Sequence, residues 1–509
     1  MGLFLEIRIR RDIISQKKQP GITLYISAAF VLGFVLWGGI APENLNASAN
    51  KALNWTISYF SWFYMAATTF FVFFMLYLAF SPYRNIKLGK DEDEPKYSYF
   101  TWLGLLFAGG MGVGLVFWGV AEPLQHYADP APGVEAGTTE ATESALKYSV
   151  FHWGLQPWAG YGLVGLTIAY FKFRRNKASL ISHAFYPLLG EKVNGFLGKS
   201  INIVSIIATA IGVATTFGLS AMQVSGGLGK VFGFPNSSMT QLIVIAVVTV
   251  LFMISALSGV NKGIRILSNI NLGIASLLFL FVLFAGPTIF LLESAITSFG
   301  SYIGNYFQLS LGLSPFKDSS WRGDWTIFYW AWGISWAPFV GTFIARVSRG
   351  RTIREFVLGV LFVPALMGGL WFIVFGGTAL HMQIYEGLEL VKPAKENVET
   401  ALFIMLENLP FGKVLSITGL LLITIFFITS ADSATYVLSI LSSRGTLNPK
   451  KYVKLIWGFI ISGTASVLLI SGGLKSLQAA SITTALPFAL LIVLMCISVI
   501  KGLREDKSN

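Results

Sequence analysis

Three segments hold the residue types that could do chemistry. The first, DWTIFYWAWGISWAPFVG (324–341), has tryptophans at 325, 330, 332 and 336. On a helix Trp332 and Trp336 lie one turn apart on one face, with Phe328 and Phe339 near the same stripe. Trp330 is rotated about 160° away. Gly333 leaves a bare position among the rings. The second, YSVFHWGLQPWAGYGLVG (148–165), sets Trp153 and Tyr161 eight residues apart on roughly one face, with Gln156 and Trp158 beside them. Pro157 is expected to interrupt the helix between them. Ordinary aromatic packing explains one such stripe. Two together could build a cage that holds a methylated ammonium group by cation–π attraction, worth about 2 kcal/mol or more once desolvated.

The third segment, LLITIFFITSADSATYVLSI (421–440), offers the hydroxyls of Thr429, Ser430 and Ser433. Asp432 is a carboxylate placed inside an apolar run, which marks a functional candidate or a buried interhelix hydrogen bond. Hard oxygen ligands suit Na⁺. A glycine-rich stretch, FAGGMGVGLVFWG (107–119), holds five glycines between 109 and 119. Small residues let helices pack closely, but so many would leave backbone groups free around a cavity. The N–H groups near Gly110, Met111, Gly112 and Gly114 are then partners for a carboxylate.

The elements that position these residues are membrane helices. Of 509 residues, 54% are hydrophobic and 12% charged, and mean hydropathy is +0.66. A soluble domain has about twice that share of charge. Apolar runs long enough to cross a bilayer recur at about 21–40, 57–81, 99–121, 146–171, 201–228, 239–259, 268–292, 325–345, 355–379, 414–441, 452–472 and 479–500. Twelve spans put both termini in the cytoplasm, and the inner connections then hold 28 of the 37 Lys and Arg residues. The net charge of +12 reflects that topology and anionic lipid at the inner face. No basic domain for nucleic acid is visible. The stretch AEPLQHYADPAPGVEAGTTEATE and a segment near 381–410 are expected as acidic outer loops. Residues 293–323 are expected to hold an amphipathic helix on the outer surface.

Spans 3–7 and 8–12 form two blocks of five, so the second is inverted relative to the first. Each block opens on a helix expected to be broken by small residues or proline, at 107–119 and 330–341, which points to a transporter site near the midplane. The implied organisation is a tail at 1–20, two peripheral helices at 21–98 and a first repeat at 99–294. An external connection at 295–324, a second repeat at 325–500 and a short cytoplasmic tail at 501–509 complete it. The single cysteine, Cys496, excludes an internal disulfide, and the four scattered histidines suggest no metal cluster. No nucleophile–base set or signalling domain speaks for an enzyme or sensor, and no cofactor is expected.

The stretches GMGVGLVFWGVAEP, FHWGLQPWA, WAWGISWAPFVGTFIARVSRGRTIREF and FFITSADS resemble the betaine/carnitine/choline transporter family over nearly the whole chain. The pattern is most similar to glycine betaine importers of Gram-positive bacteria. The resemblance implies a polytopic all-α fold with a LeuT-like 5+5 inverted-repeat core after two extra helices. It also implies a bacterial cell membrane, a homotrimer, alternating access and usually Na⁺ coupling. It places an aromatic box on Trp153, Tyr161, Trp332 and Trp336, with Trp158 close by. It puts one Na⁺ site at Ala108, Met111, Phe426, Thr429 and Ser430, and a second at Thr209, Val213 and Phe339. Phe117 and Phe339 fall on aromatic gate positions. This chain departs at Gly333, where the family commonly has a second tryptophan, and at Gln156, where it has histidine. It departs also at Val213, which lacks a side-chain oxygen. The arginine that Na⁺-independent exchangers carry in the fifth span is missing. The resemblance therefore implies a Na⁺-coupled importer of a zwitterionic or cationic methylated solute, foremost glycine betaine. Rivals are a Na⁺-independent carnitine or choline exchanger and, from another class, a channel or sensor.

Overall fold

A computed structural model describes residues 21–110, 112–258, 261–313 and 320–508. Helices dominate among them: α1 (Ile22–Ile40), α2 (Pro42–Phe80), α3 (Tyr99–Gly110), α4 (Val113–Ala128), α5 (Thr139–His152), α6 (Leu155–Ala169), α7 (Phe196–Phe232), α8 (Ser238–Ser258), α9 (Asn261–Ala285), α10 (Thr288–Gly304), α11 (Tyr306–Leu311), α12 (Phe328–Val347), α13 (Ile353–Tyr385), α14 (Gly412–Ser442) and α15 (Lys451–Ser508). Among the described residues nine helices are long and apolar enough to cross a membrane. The chain is a multi-pass membrane protein.

Burial sorts these helices into centre and rim. The apolar window of α12 and its lead-in is 89% buried and that of α7 83%, against 28% for α1 and 22% for α9. In a bilayer the exposed apolar faces of α1 and α9 meet lipid, and small residues let the central helices approach. At Gly341 of α12, for example, a Cβ would lie 2.9 Å from the Gly165 nitrogen on α6.

The expected third and fourth spans are each two helices. The first break lies between α3 and α4, where Gly112 is extended (φ −147°, ψ −164°). The second lies at Trp153–Gly154 between α5 and α6. Pro157 does not make that break. It sits in the first turn of α6, where its missing N–H costs nothing. Gly154 makes it instead: a Cβ there would meet the Val150 carbonyl oxygen at 2.8 Å and the Tyr302 hydroxyl at 2.7 Å.

Four further expectations change. The second block does not open on a broken helix: a π-helical turn at Gly323–Ile327 leads into α12, which runs unbroken through Gly333 and Pro338. The acidic stretch after residue 121 begins as helix, because α4 continues to Ala128 with Glu122 wholly buried. The seventh span stops at Ala285, since Pro287 cannot continue it, and α10 starts at Thr288. The amphipathic helix of the 293–323 region therefore begins earlier, with Ile289, Ile296 and Ile303 exposed. Residues 451–508 are one helical run interrupted by non-helical backbone at Gly472 and Gly473.

At one end of the molecule the basic connections gather. Arg174 pairs with Asp91 at 2.7 Å and also with Asp506. Arg175 pairs with Glu505 and Arg349 with Asp93, at 3.2 and 2.9 Å. Thr352 and Glu355 form a capping box that starts α13 at this end. The terminal segments 1–20 and Asn509, part of the expected tails, lie outside the described residues.

Candidate functional site

The two breaks and α12 enclose one cavity. Its walls are Gly112, Val113, Gly114 and Leu115 at the start of α4, His152 and Trp153 at the second break, and Pro157, Trp158 and Tyr161 on α6. Thr216 on α7 and Tyr329, Trp332, Gly333 and Trp336 on α12 complete it. Trp153, Trp158, Tyr161, Trp332, Gly333, Trp336, Gly112 and Gly114 from the sequence reading thus meet in one place. Gly110 is the last residue of α3, and Met111 lies outside the described residues.

Each ring is held by its neighbours. Trp332 stacks on Phe328 (centroids 5.6 Å apart, planes at 9°) and stands edge-on to Trp153 at 6.2 Å. Its Nε1–H donates to the Thr216 hydroxyl at 3.2 Å. Trp336 donates from Nε1 to the Gly212 carbonyl oxygen at 2.9 Å and meets Phe339 edge-on. Trp158 and Tyr161 are nearly perpendicular at 5.5 Å. Trp330 points the other way, onto Phe151 at 5.1 Å. Hydrogen bonds and ring contacts thus hold Trp332 and Trp336 in fixed orientations along the cavity.

Glycines set how close the walls come. A Cβ on Gly114 would lie 2.4 Å from Cη2 of Trp332 and 3.1 Å from Cη2 of Trp153, so only glycine lets α4 approach both rings. Gly333 differs. A Cβ there would have Pro157 Cβ at 3.5 Å and the Tyr161 hydroxyl at 3.7 Å as its nearest neighbours. A methyl group would fit there in ordinary contact.

Other expected residues fall elsewhere. Gln156 turns away from the cavity, donating to the Ser310 hydroxyl at 2.7 Å and the Tyr306 hydroxyl at 3.2 Å. Tyr302 donates to Gln156 at 3.5 Å and accepts the Leu155 N–H at 3.2 Å, so α10 and α11 satisfy groups freed at the break. Thr429 donates to the Ile425 carbonyl oxygen at 2.9 Å within α14, beside the partly buried Phe426 and Ser430. Asp432 is also partly buried. Ala108 falls in the last turn of α3, where its side chain is not described. The Thr209 hydroxyl donates to the Ser205 carbonyl oxygen at 2.7 Å. Phe117, Val213 and Phe339 are buried, and none of the three lines the cavity.

Sequence reasoning missed Tyr329, Thr216 and His152 as wall residues, and missed Glu122 behind the wall. Two of the four histidines that looked scattered, His126 and His152, meet at one carboxylate. Glu122 Oε1 meets Nδ1 of His152 at 2.7 Å and Nε2 of His126 at 3.2 Å. Glu122 Oε2 accepts from Nε1 of Trp153 at 3.1 Å and from the Tyr329 hydroxyl at 2.7 Å. The three potential metal-ligand atoms lie within 4.8 Å of one another, and both histidines are hydrogen-bonded to the carboxylate. The i,i+4 pair Glu122–His126 on one helix was the signal that could have exposed this group.

A cavity walled by aromatic rings beside a helix N-terminus suits a small solute with an apolar cationic head and an anionic end. Comparison with known proteins agrees in class. The family model described as BCCT, betaine/carnitine/choline family transporter, matches residues 22–508. The glycine betaine transporter OpuD of Bacillus subtilis (strain 168) is 48% identical over 492 residues, 96% of each chain. The ectoine/hydroxyectoine transporter of Virgibacillus pantothenticus is 44% identical, over 95% of this chain and 97% of its own. A probable glycine betaine transporter of Desulfitobacterium hafniense (strain Y51) is 41% identical, over 96% and 98%. Members of this family are transporters and not enzymes, and a match from residue 22 to residue 508 places this chain in the betaine/carnitine/choline transporter family.

Proposed function

We propose that the chain is a Na⁺-coupled importer of a methylated zwitterion, foremost glycine betaine, working by alternating access in a bacterial cell membrane. The observation that carries this reading is the cavity of Trp153, Tyr161, Tyr329, Trp332 and Trp336 facing the start of α4. Ring faces attract the ammonium head. The free N–H groups at the N-terminus of α4 and its dipole attract the carboxylate. Na⁺ would be held by the set that the family resemblance implies, Ala108, Met111, Phe426, Thr429 and Ser430, with Thr209 and Phe339 as a second place. Bound there, it would steady the broken third span against α14 and so order the cavity. Phe117 and Phe339 would close the outer path.

With each broken pair taken as one crossing, α15 as two, and α10 and α11 left outside the membrane, the crossings number twelve; both termini would then be cytoplasmic, around an inverted five-plus-five core, and the assembly would be a homotrimer. The clustered basic connections would face anionic lipid at the inner leaflet.

A second solute is favoured by Gly333. Gly333 lines the cavity without a side chain, which would suit a cyclic zwitterion, and a relative is named as an ectoine/hydroxyectoine transporter. Purified protein in proteoliposomes separates these readings. Uptake of glycine betaine, ectoine, choline, carnitine and proline is measured with and without an inward Na⁺ gradient. Saturable glycine betaine uptake that needs the gradient is expected. Uptake indifferent to Na⁺ would replace the symporter with an exchanger, and a preference for ectoine would replace the solute.

A further inference from the structure

Three residues of the cavity wall, on two different helical segments, hydrogen-bond a single carboxylate that does not itself line the cavity. Trp153 and Tyr329 donate to Glu122 Oε2, and His152 contacts Oε1. His126 supplies the fourth contact, and His152 is tied on its far side to the Thr326 hydroxyl at 2.9 Å. Glu122 is 0% exposed and both histidines 1%. An indole nitrogen can only donate, so Oε2 accepts, and four contacts match the acceptor capacity of an ionised carboxylate. A buried charge in a membrane protein is retained at a cost and marks function by default.

We propose that Glu122 is a positioning residue for the solute site, fixing the planes of Trp153 and Tyr329 and making their faces more attractive to a cation. This rests on the ammonium-cage reading above. The geometric part is direct: one carboxylate joins the break between α5 and α6 to the first turn of α12, so the two rings cannot turn independently. The electronic part follows from the bonds. A hydrogen bond to an anion pushes electron density from the N–H or O–H into the ring, and neighbouring hydrogen bonds polarise one another. The ring face gains negative potential, which is what an ammonium head feels. Glu122 therefore favours a cationic head over a neutral one of the same shape without touching the solute.

The test uses the full chain in detergent or nanodiscs and two probes of one shape. Glycine betaine carries a trimethylammonium head, and 3,3-dimethylbutyrate replaces its nitrogen with carbon. Glu122→Gln keeps the size of the side chain. It is expected to weaken glycine betaine at least tenfold and to change 3,3-dimethylbutyrate less than twofold. Equal losses for both probes would mean a merely structural role and overturn the electronic part. A second readout needs no solute. With fluorotryptophan incorporated, the ¹⁹F resonance that disappears in Trp153→Phe should shift on Glu122→Gln in the ligand-free protein. An unmoved resonance overturns the anchoring itself. If the unaltered protein binds no methylated ammonium solute, the functional reading fails, while the resonance still decides the anchor. If Glu122→Gln does not fold, Tyr329→Phe serves, since it removes one donor and keeps the ring. It should reduce the preference for glycine betaine over the neutral probe at least threefold, and an unchanged ratio refutes the proposal.

Discussion

Two glycines on opposite walls of the cavity allow one methyl group to be added at each, with opposite expectations. At Gly114 the new carbon would lie 2.4 Å from Cη2 of Trp332. Ordinary contact needs about 1 Å more. The indole cannot yield easily: Phe328 stacks on it, Thr216 holds its nitrogen, and Trp153 stands at its edge. Overpacking of this kind costs roughly 1–3 kcal/mol. The strain falls on the ring that would face the ammonium group, so most of it should appear in binding. Gly114→Ala is therefore expected to weaken glycine betaine by about five- to a hundredfold. At Gly333 the added carbon meets nothing nearer than 3.5 Å. Gly333→Ala should bind within threefold of the unaltered protein and gain up to about 1 kcal/mol of helix stability. Isothermal titration with glycine betaine, with thermal unfolding alongside, measures both. Equal affinities for the two variants would refute the assignment of Gly114 as the residue that sets the spacing of the cage.

Further outcomes follow from other contacts. Gly333→Trp would put an indole into the cavity wall and should shift preference from ectoine toward glycine betaine in a binding panel; an unchanged ranking removes Gly333 as a selectivity position. Thr216→Val strips the Trp332 nitrogen of its partner and should cost about 1–3 kcal/mol in unfolding, with weaker solute binding. Tyr302→Phe leaves the Leu155 N–H without its acceptor and should slow uptake more than it weakens binding, read as a fall in Vmax at nearly constant KM. The hydrogen bond from Arg349 holds the Asp93 carboxyl below its usual value. A depressed carboxylate stabilises above its unfolded pKa and loses that effect as pH falls through the folded one. Arg349→Gln should thus change thermal stability equally at pH 6 and pH 8, and the difference should fade only below about pH 4.

The cage was readable because its parts are local. Trp332 and Trp336 lie one turn apart, and Trp153, Trp158 and Tyr161 fall within nine residues. Such spacing fixes a face before any tertiary contact forms. The break in the fourth span was expected at a proline and lies at Gly154, since a proline in a first turn is harmless and the Tyr302 hydroxyl leaves no room for a side chain. The second block looked broken because it holds glycine and proline, yet neighbours on several sides keep α12 helical through both. Glu122 went unread for a different reason. Its partners come from residues 126, 152, 153 and 329, and a hub of that kind exists only after long-range packing.

The continuity of α12 has a mechanical consequence. The walls from α4 and α6 each adjoin a break. Trp332 and Trp336 share one unbroken helix, where a full turn rises about 5.4 Å. Whatever opens or closes around them, the separation of those two rings stays constant. Under the proposed alternating access they would act as a fixed gauge against which a solute is measured, and a solute of the wrong head size would fail at the same distance in each conformation.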